Sequence, residues 1–169
     1  LRRDTGTRTA FRLFDLIDAI DKRETYLALL VEFPQVLDRV ARIAASSAWA
    51  AEFLRRHPIL MDELIERPAA IRQGGGPIDW PQERQALRAA CDTAHGDVEK
   101  QYELLRHTKQ VITLRLNVAD IEGRLGVMAL SDELTALADL LLDTALMLAW
   151  RVLNPALPAA DWTPPPGFA

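Results

Sequence analysis

The chain has 169 residues, 49% hydrophobic and 26% charged, which is typical of one globular domain with a real core. The formal net charge of −4 and the pI near 5.4 disfavour a nucleic-acid binder, which needs clustered Lys and Arg to displace counterions. A single cysteine, Cys91, cannot form an internal disulfide, and the N-terminus has no signal-peptide pattern, so a cytoplasmic setting is predicted.

Helical periodicity runs through the first third of the chain. Apolar residues recur three or four positions apart, and a proline follows most of these runs. Because the residue before proline avoids the helical conformation, these prolines mark helix ends. The predicted helices lie at 8–21 with Thr9 as cap, at 22–33, in the two runs between Pro34 and Pro58 with a cap from Ser46 and Ser47, and at 59–66 before Pro68.

The stretch "PAAIRQGGGPIDWP" at 68–81 interrupts the helical pattern. Its three consecutive glycines and three prolines predict a loop. A phosphate-binding loop would need a preceding strand and a Gly-Lys-Ser/Thr that starts a helix, and the sequence has neither. We therefore interpret this stretch as a surface loop, with helix resuming near Gln82 and running to about Thr93.

The second half of the chain predicts two long helices. The first, at about 97–120, has one apolar face that continues for six turns. A loop is expected at 121–130, and Ser131, followed by two acidic residues, is expected to start a second helix that runs to about Asn154. The predicted apolar face of the first helix consists of Tyr102, Leu105, Val111 or Ile112, Leu116 and Ala119.

The last predicted helix is apolar on nearly every side, which raises the possibility of a membrane span. A span needs roughly twenty largely uncharged residues, whereas Asp139, Asp143 and Arg151 interrupt this helix. We therefore interpret it as the central, heavily buried helix of a bundle. The predicted fold class is all-α, a multi-helix bundle with two long C-terminal helices.

No set of residues in the sequence predicts catalysis or metal binding. Cys91 and His95 are four apart on a helix and would form half a metal site, but no second pair of ligands follows. A buried thiol and a surface imidazole are the simpler interpretation. Asp15 and Asp18 share a helical face, and we interpret them as solvated helix charges, which are far commoner than an acid/base pair.

One group of charges on and after the first long helix stands out: Lys109, Arg115, Asp120, Glu122 and Arg124. Lys109 and Arg115 are separated by more than about 100° around an ideal helix, so they do not share one side. Asp120 and Arg124 are spaced to pair if the helix continues that far. Two interpretations remain open: ordinary charges beside a buried stripe, or contacts that hold a neighbouring domain, for which Arg is well suited.

Two long segments carry a resemblance to a known family. Residues 26–68 and 104–150 resemble the central helical region of the bifunctional glutamine synthetase adenylyltransferase/adenylyl-removing enzyme. The most specific parts are the helix between Ser46 and Pro58, its continuation "LMDELI", and a Lys-x5-Arg-x4-Asp-Ile pattern. That pattern falls on Lys109, Arg115, Asp120 and Ile121. Residues 69–96 add little to the family resemblance.

The resemblance implies a division of labour within a longer enzyme. Residues 1–154 would be a helical regulatory or linker domain, and 155–169 a proline-rich linker into a nucleotidyltransferase domain beyond this chain. The parent enzyme would transfer AMP from ATP, with Mg²⁺, to a tyrosine of glutamine synthetase and remove it again. The nucleotidyltransferase domains of the same chain would be its neighbours, and the PII signalling protein and glutamine its effectors.

No catalytic residue, cofactor-binding residue or metal ligand carries over from the family onto these positions. The candidate interdomain contacts are Lys109, Arg115 and Asp120. Two other functions stay open from the sequence: a stand-alone helical module that binds a partner helix, and a sensor that binds glutamine between its helices.

Overall fold

A computed structural model of the chain describes residues 11–12, 14–15, 17–18, 28, 30–61, 64 and 77–154. Over these residues the fold is all-α, as predicted, and contains no strand. The two C-terminal helices are the longest, at 24 and 27 residues. In chain order the bounded elements are α1 (Pro34–Ser46), α2 (Ala48–Arg56), a 3₁₀ turn (Pro58–Met61), α3 (Trp80–Thr93), α4 (Val98–Ile121) and α5 (Val127–Leu153).

The boundaries of α1 and α2 follow local sequence signals. Pro34 occupies the first turn of α1, where its lack of an N–H costs nothing. Ser47 caps α2, because its hydroxyl oxygen accepts a hydrogen bond from the Ala50 N–H at 3.1 Å. These two helices are confirmed, and the described residues from 11–18 and 28–32 are helical as predicted. Thr9, the glycine triplet and 155–169 lie outside the described residues.

The helix predicted at 59–66 has a different form where it is described. Pro58–Met61 is a 3₁₀ turn, which starts with the Leu60 N–H donating to the His57 carbonyl at 3.0 Å. Leu64 is helical. A proline at the first position provides no N–H and fixes its own backbone, so a short tight turn is favoured there over a regular first turn.

The chain divides into two compact units, and the first contains residues 1–77 and 113–126. Val36, Val40 and Ile43 form the buried stripe of α1 at helical spacing. Full burial of each such side chain contributes about 1.5–3 kcal/mol. The other fully buried large side chains of this unit are Leu54, Leu60, Met61, Leu114 and Leu116.

The second unit contains residues 78–112 and 127–169, and its bounded elements are α3, the first part of α4, and α5. Side-chain contacts join α3 to α5 at several levels: Trp80 to Glu133, Arg84 to Asp143, and Asp92 to Arg151. Because the residue numbers rise together in both helices, α3 and α5 run parallel. Leu87 of α3 and Leu140 of α5 are among the buried residues of this unit.

Helix α3 begins two residues before the predicted start. The Asp79 carboxylate accepts from the Gln82 N–H at 3.3 Å and caps the helix, so that Trp80 and Pro81 form its first turn. The proline that we read as the end of a loop is therefore part of the helix. Its end at Thr93 is as predicted.

The predicted apolar face of α4 is wrong in the first half of the helix. Tyr102 is 57% exposed, and its neighbour Gln101 is buried, at 5% exposure. The Gln101 amide donates to the Cys91 carbonyl at 3.1 Å. Cys91 lies in the last turn of α3, where carbonyls lack helical partners, and Gln101 satisfies one of them. Farther along, α4 is buried at Val111, Ile112, Leu114, Leu116, Val118 and Ala119, which is wider than one stripe.

Helix α5 differs from the prediction at its start and in its burial. It begins at Val127 rather than Ser131, because residues 127–130 include no helix breaker. It is not buried on all sides: Leu137, Leu140, Thr144, Met147 and Leu148 form one buried stripe, while several apolar residues elsewhere on it are exposed. None of the helices in the described part of the chain has a stretch long and apolar enough to cross a membrane.

Candidate interdomain contact site

The turn after α4 places two charged side chains at the end of that helix. The Gly123 N–H donates to the Asp120 carbonyl at 2.9 Å, and the Arg124 N–H donates to the Ala119 carbonyl at 2.8 Å. These two bonds define a Schellman motif, in which the residue after the cap takes a positive φ. Gly123 has a φ of +69°, which a glycine adopts without strain. Glu122 is therefore the cap residue, with Arg124 two positions beyond it.

Glu122 lies between two arginines. The Nε of Arg39, on α1, lies 2.9 Å from Oε1 of Glu122, and the Nη2 of Arg39 lies 3.3 Å from Oε2. The Nε of Arg124 approaches the same Oε2 at 2.8 Å. Arg39 also donates to the Leu64 carbonyl at 3.2 Å. We call Arg39, Glu122 and Arg124 the arginine clamp.

The clamp is partly buried and carries a net positive charge. The side chains of Arg39, Glu122 and Arg124 are 13%, 26% and 20% exposed. Burial alone would raise the pKa of Glu122, but the hydrogen bonds and charges of Arg124 and Arg39 outweigh burial and lower it. The Nη1 of Arg124 is buried and has no hydrogen-bond partner among the described residues.

The three residues predicted as interdomain contacts are divided between the two units. Lys109 is exposed and belongs to the unit formed by 78–112 and 127–169, while Arg115 and Asp120 belong to the other unit. Arg115 is half-buried and already makes an interaction within the chain. Asp120 is exposed. Its suggested pairing with Arg124 required a longer helix; α4 ends at Ile121, and Arg124 contacts Glu122.

The sequence reasoning singled out Glu122 and Arg124 but missed Arg39. Arg39 and Glu122 are 83 positions apart, so no local spacing relates them. It also missed a second set of ion pairs in the other unit. There Asp143 accepts from Arg84 at 2.6 Å and from Arg88 at 3.1 Å, and Arg151 lies 2.6 Å from Asp92. These pairs join α3 to α5, whereas the sequence pattern shows Asp143 and Arg151 only as charges that interrupt an apolar helix.

Cys91 and His95, which were considered as half a metal site, are a buried thiol and a surface imidazole. Cys91 is fully buried and His95 is exposed. Burial, helped by the charge of Asp92, raises the pKa of the Cys91 thiol, which disfavours the thiolate that metals bind. Within the described ranges no three His, Cys, Asp or Glu side chains come together as a possible metal site.

Comparison with known proteins assigns most of the chain to one family. The pattern of the family described as "Glutamate-ammonia ligase adenylyltransferase" matches residues 37–164. The chain belongs to the glutamate-ammonia ligase adenylyltransferase family. The match includes Arg39, Glu122 and Arg124, so the whole clamp lies within the matched residues.

Curated relatives within the glutamate-ammonia ligase adenylyltransferase family carry one name, "Bifunctional glutamine synthetase adenylyltransferase/adenylyl-removing enzyme". The chain is 44% identical to that of Aromatoleum aromaticum over 146 residues, which is 86% of this chain and 15% of the relative. It is 43% identical to that of Bordetella bronchiseptica over 150 residues, 86% of this chain and 16% of the relative. With the Chromobacterium violaceum enzyme the identity is 44% over 143 residues, again 16% of the relative.

The chain thus corresponds to a small part of these adenylyltransferase relatives. It spans about 15% of their length. The rest of each relative is polypeptide that this chain does not match, and the activity in the relatives' name belongs to the whole proteins.

Proposed function

We propose that this chain is a non-catalytic helical regulatory domain of the enzyme that adenylylates and deadenylylates glutamine synthetase. In this proposal it couples the two opposing activities, and its neighbours are the nucleotidyltransferase domains of the same polypeptide. Glutamine synthetase is the target, and glutamine and the PII signalling protein are the effectors. The observation that carries the proposal is α4, one continuous helix of 24 residues that contributes to both compact units and ends at the arginine clamp.

A single helix shared by two units is a suitable element for coupling. An α-helix is stiff over this length, so a shift at one end displaces the other. Coupling also requires that two arrangements differ in free energy. The clamp supplies a contact that such a shift would make or break, because it joins the end of α4 to α1 through Arg39 and Glu122.

The proposal assigns the chemistry of AMP transfer to other parts of the longer enzyme. Transfer of AMP from ATP depends on divalent cations, which in proteins are held mainly by clustered carboxylates. In the part of the chain that the structure describes, no three His, Cys, Asp or Glu side chains come together. In this proposal ATP and Mg²⁺ bind to the other domains, and no chemical step is assigned to residues of this chain.

The test compares two glutamates in the full-length enzyme. Glu122→Gln removes the carboxylate of the clamp, and Glu52→Gln is the matched control. Glu52 also pairs with two arginines, Arg55 and Arg56, but only within the exposed side of α2. We expect Glu122→Gln to weaken the response of the two activities to glutamine and PII, and Glu52→Gln to leave that response unchanged. An unaltered response in both variants would contradict the coupling role.

A further inference from the structure

Helix α5 has an exposed apolar face opposite its buried stripe. At about 100° per residue, an arc of about 120° along the whole helix contains only apolar residues, Ser131 and Thr135. All the acidic and basic residues of α5 lie outside this arc. Its large apolar members are Val127, Met128, Leu134, Leu142, Leu146, Val152 and Leu153, which are 45–81% exposed.

This arc is too long and too uniform for an ordinary solvated surface. A helix of 27 residues is about 40 Å long at 1.5 Å per residue. Single exposed apolar residues are common, but a continuous exposed apolar strip of this kind marks an interface. Interfaces between parts that stay together are more apolar than transient ones and resemble a core cut in two. The arc has that composition.

We propose that the exposed face of α5 packs permanently against an adjoining domain of the longer polypeptide to which this region belongs. This inference rests on the proposed function and identifies the surface through which the regulatory domain contacts its neighbour. The curated relatives are more than six times the length of the matched region, since that region is 15–16% of each. Every molecule of such an enzyme therefore contains polypeptide available to cover the face.

Two other occupants fit less well. A membrane surface is disfavoured because Asp132, Asp139 and Asp143 flank one edge of the arc, and anionic lipid headgroups favour basic flanks instead. A second copy of α5 packed antiparallel about its midpoint would bring the two Asp139 side chains to the same edge, where like charges repel. A covering domain of different sequence has neither conflict.

The test measures the accessibility of two engineered cysteines in the full-length polypeptide. Leu142→Cys is placed in the arc and Tyr102→Cys on α4, because Leu142 and Tyr102 are similarly exposed here, at 63% and 57%. Reaction with a thiol reagent is followed by peptide-resolved mass spectrometry. Native Cys91 gives little background because it is fully buried. Circular dichroism confirms that both variants fold.

We expect thiol labelling at position 142 to be about tenfold or more slower than labelling at position 102, at every protein concentration, because the site must open before it reacts. Equal rates would overturn the proposal, and so would protection that disappears on dilution, which would identify a second copy as the occupant. The coupling role is tested separately by Glu122→Gln. If position 142 is protected but Glu122→Gln leaves the effector response unchanged, the interface proposal is supported and only the coupling role is contradicted.

Discussion

Arg39 and Glu122 form a two-point contact across 83 positions of sequence, with N–O distances of 2.9 and 3.3 Å. The contact ties the end of α4 to α1 inside one compact unit. A paired arrangement of this kind fixes the orientation of both groups, which a lysine would not do. The second arginine on Glu122, Arg124, is positioned by the backbone hydrogen bonds of the Schellman turn. Backbone geometry and side-chain geometry therefore both position the clamp.

Loss of the clamp carboxylate should destabilise the chain. Glu122→Gln removes the carboxylate that pairs with both Arg39 and Arg124, which are partly buried, and we expect a loss of about 1–3 kcal/mol in the free energy of unfolding. Glu52→Gln should have a much smaller effect, since its pairs with Arg55 and Arg56 are exposed and local. Urea denaturation of both variants measures this difference. Equal losses would show that the clamp has no special energetic role.

The contribution of Glu122 should depend on pH. Its pKa in the folded chain lies below the ordinary value, so the unfolded chain binds the proton more readily. The stabilisation is therefore present above about pH 5 and is lost as the pH falls through the folded-state pKa. The gap in stability between wild type and Glu122→Gln should therefore narrow as the pH is lowered from about 5. Urea midpoints across that range would contradict the assignment if the gap stayed constant or widened.

Truncation of Gln101 should reduce stability much more than truncation of its neighbour Tyr102. Gln101→Ala removes the donor to the Cys91 carbonyl and should cost about 1–3 kcal/mol of stability. Tyr102→Ala truncates an exposed side chain and should change stability by less than about 0.5 kcal/mol. Thermal denaturation of the two variants distinguishes the observed register of α4 from the predicted one. If Tyr102→Ala lost more stability than Gln101→Ala, Tyr102 would belong to the buried face of α4, as the sequence predicts.

The turn at Gly123 should tolerate only residues that accept a positive φ. A Cβ at this position meets nothing within 4 Å, so any cost of substitution comes from the backbone. Gly123→Ala should lose about 1–2 kcal/mol, and Gly123→Asn should lose less, because asparagine visits this conformation more readily. Denaturant midpoints of the pair check the order. Equal losses would mean that the cause is not backbone conformation.

Much of the fold is predictable because its signals are local. A proline at the start of α1, the Ser47 cap of α2 and the periodicity of α4 each act within a few residues. The same holds for the family resemblance, which rests on patterns in the helices themselves. The prediction of an all-α fold with two long C-terminal helices followed from these signals and is confirmed.

The errors come from contacts that periodicity does not encode. Tyr102 and Gln101 are adjacent, and which of them is buried depends on a carbonyl at the end of another helix. The exposed side of α5 could not be distinguished from its buried side, because both are apolar and only tertiary packing, which the pattern does not encode, decides between them. Arg39 was missed for the same reason, since its partner Glu122 lies far away in sequence.

We propose that this region supports adenylyl transfer without performing it. In the most direct test, the purified chain is incubated with glutamine synthetase, Mg²⁺ and ATP that is labelled in its α-phosphate. Circular dichroism first shows that the purified chain is helical. The full-length enzyme serves as the positive control. We predict that glutamine synthetase is labelled by the full-length enzyme and not by this chain alone. ATP-dependent labelling by the chain alone would contradict the account.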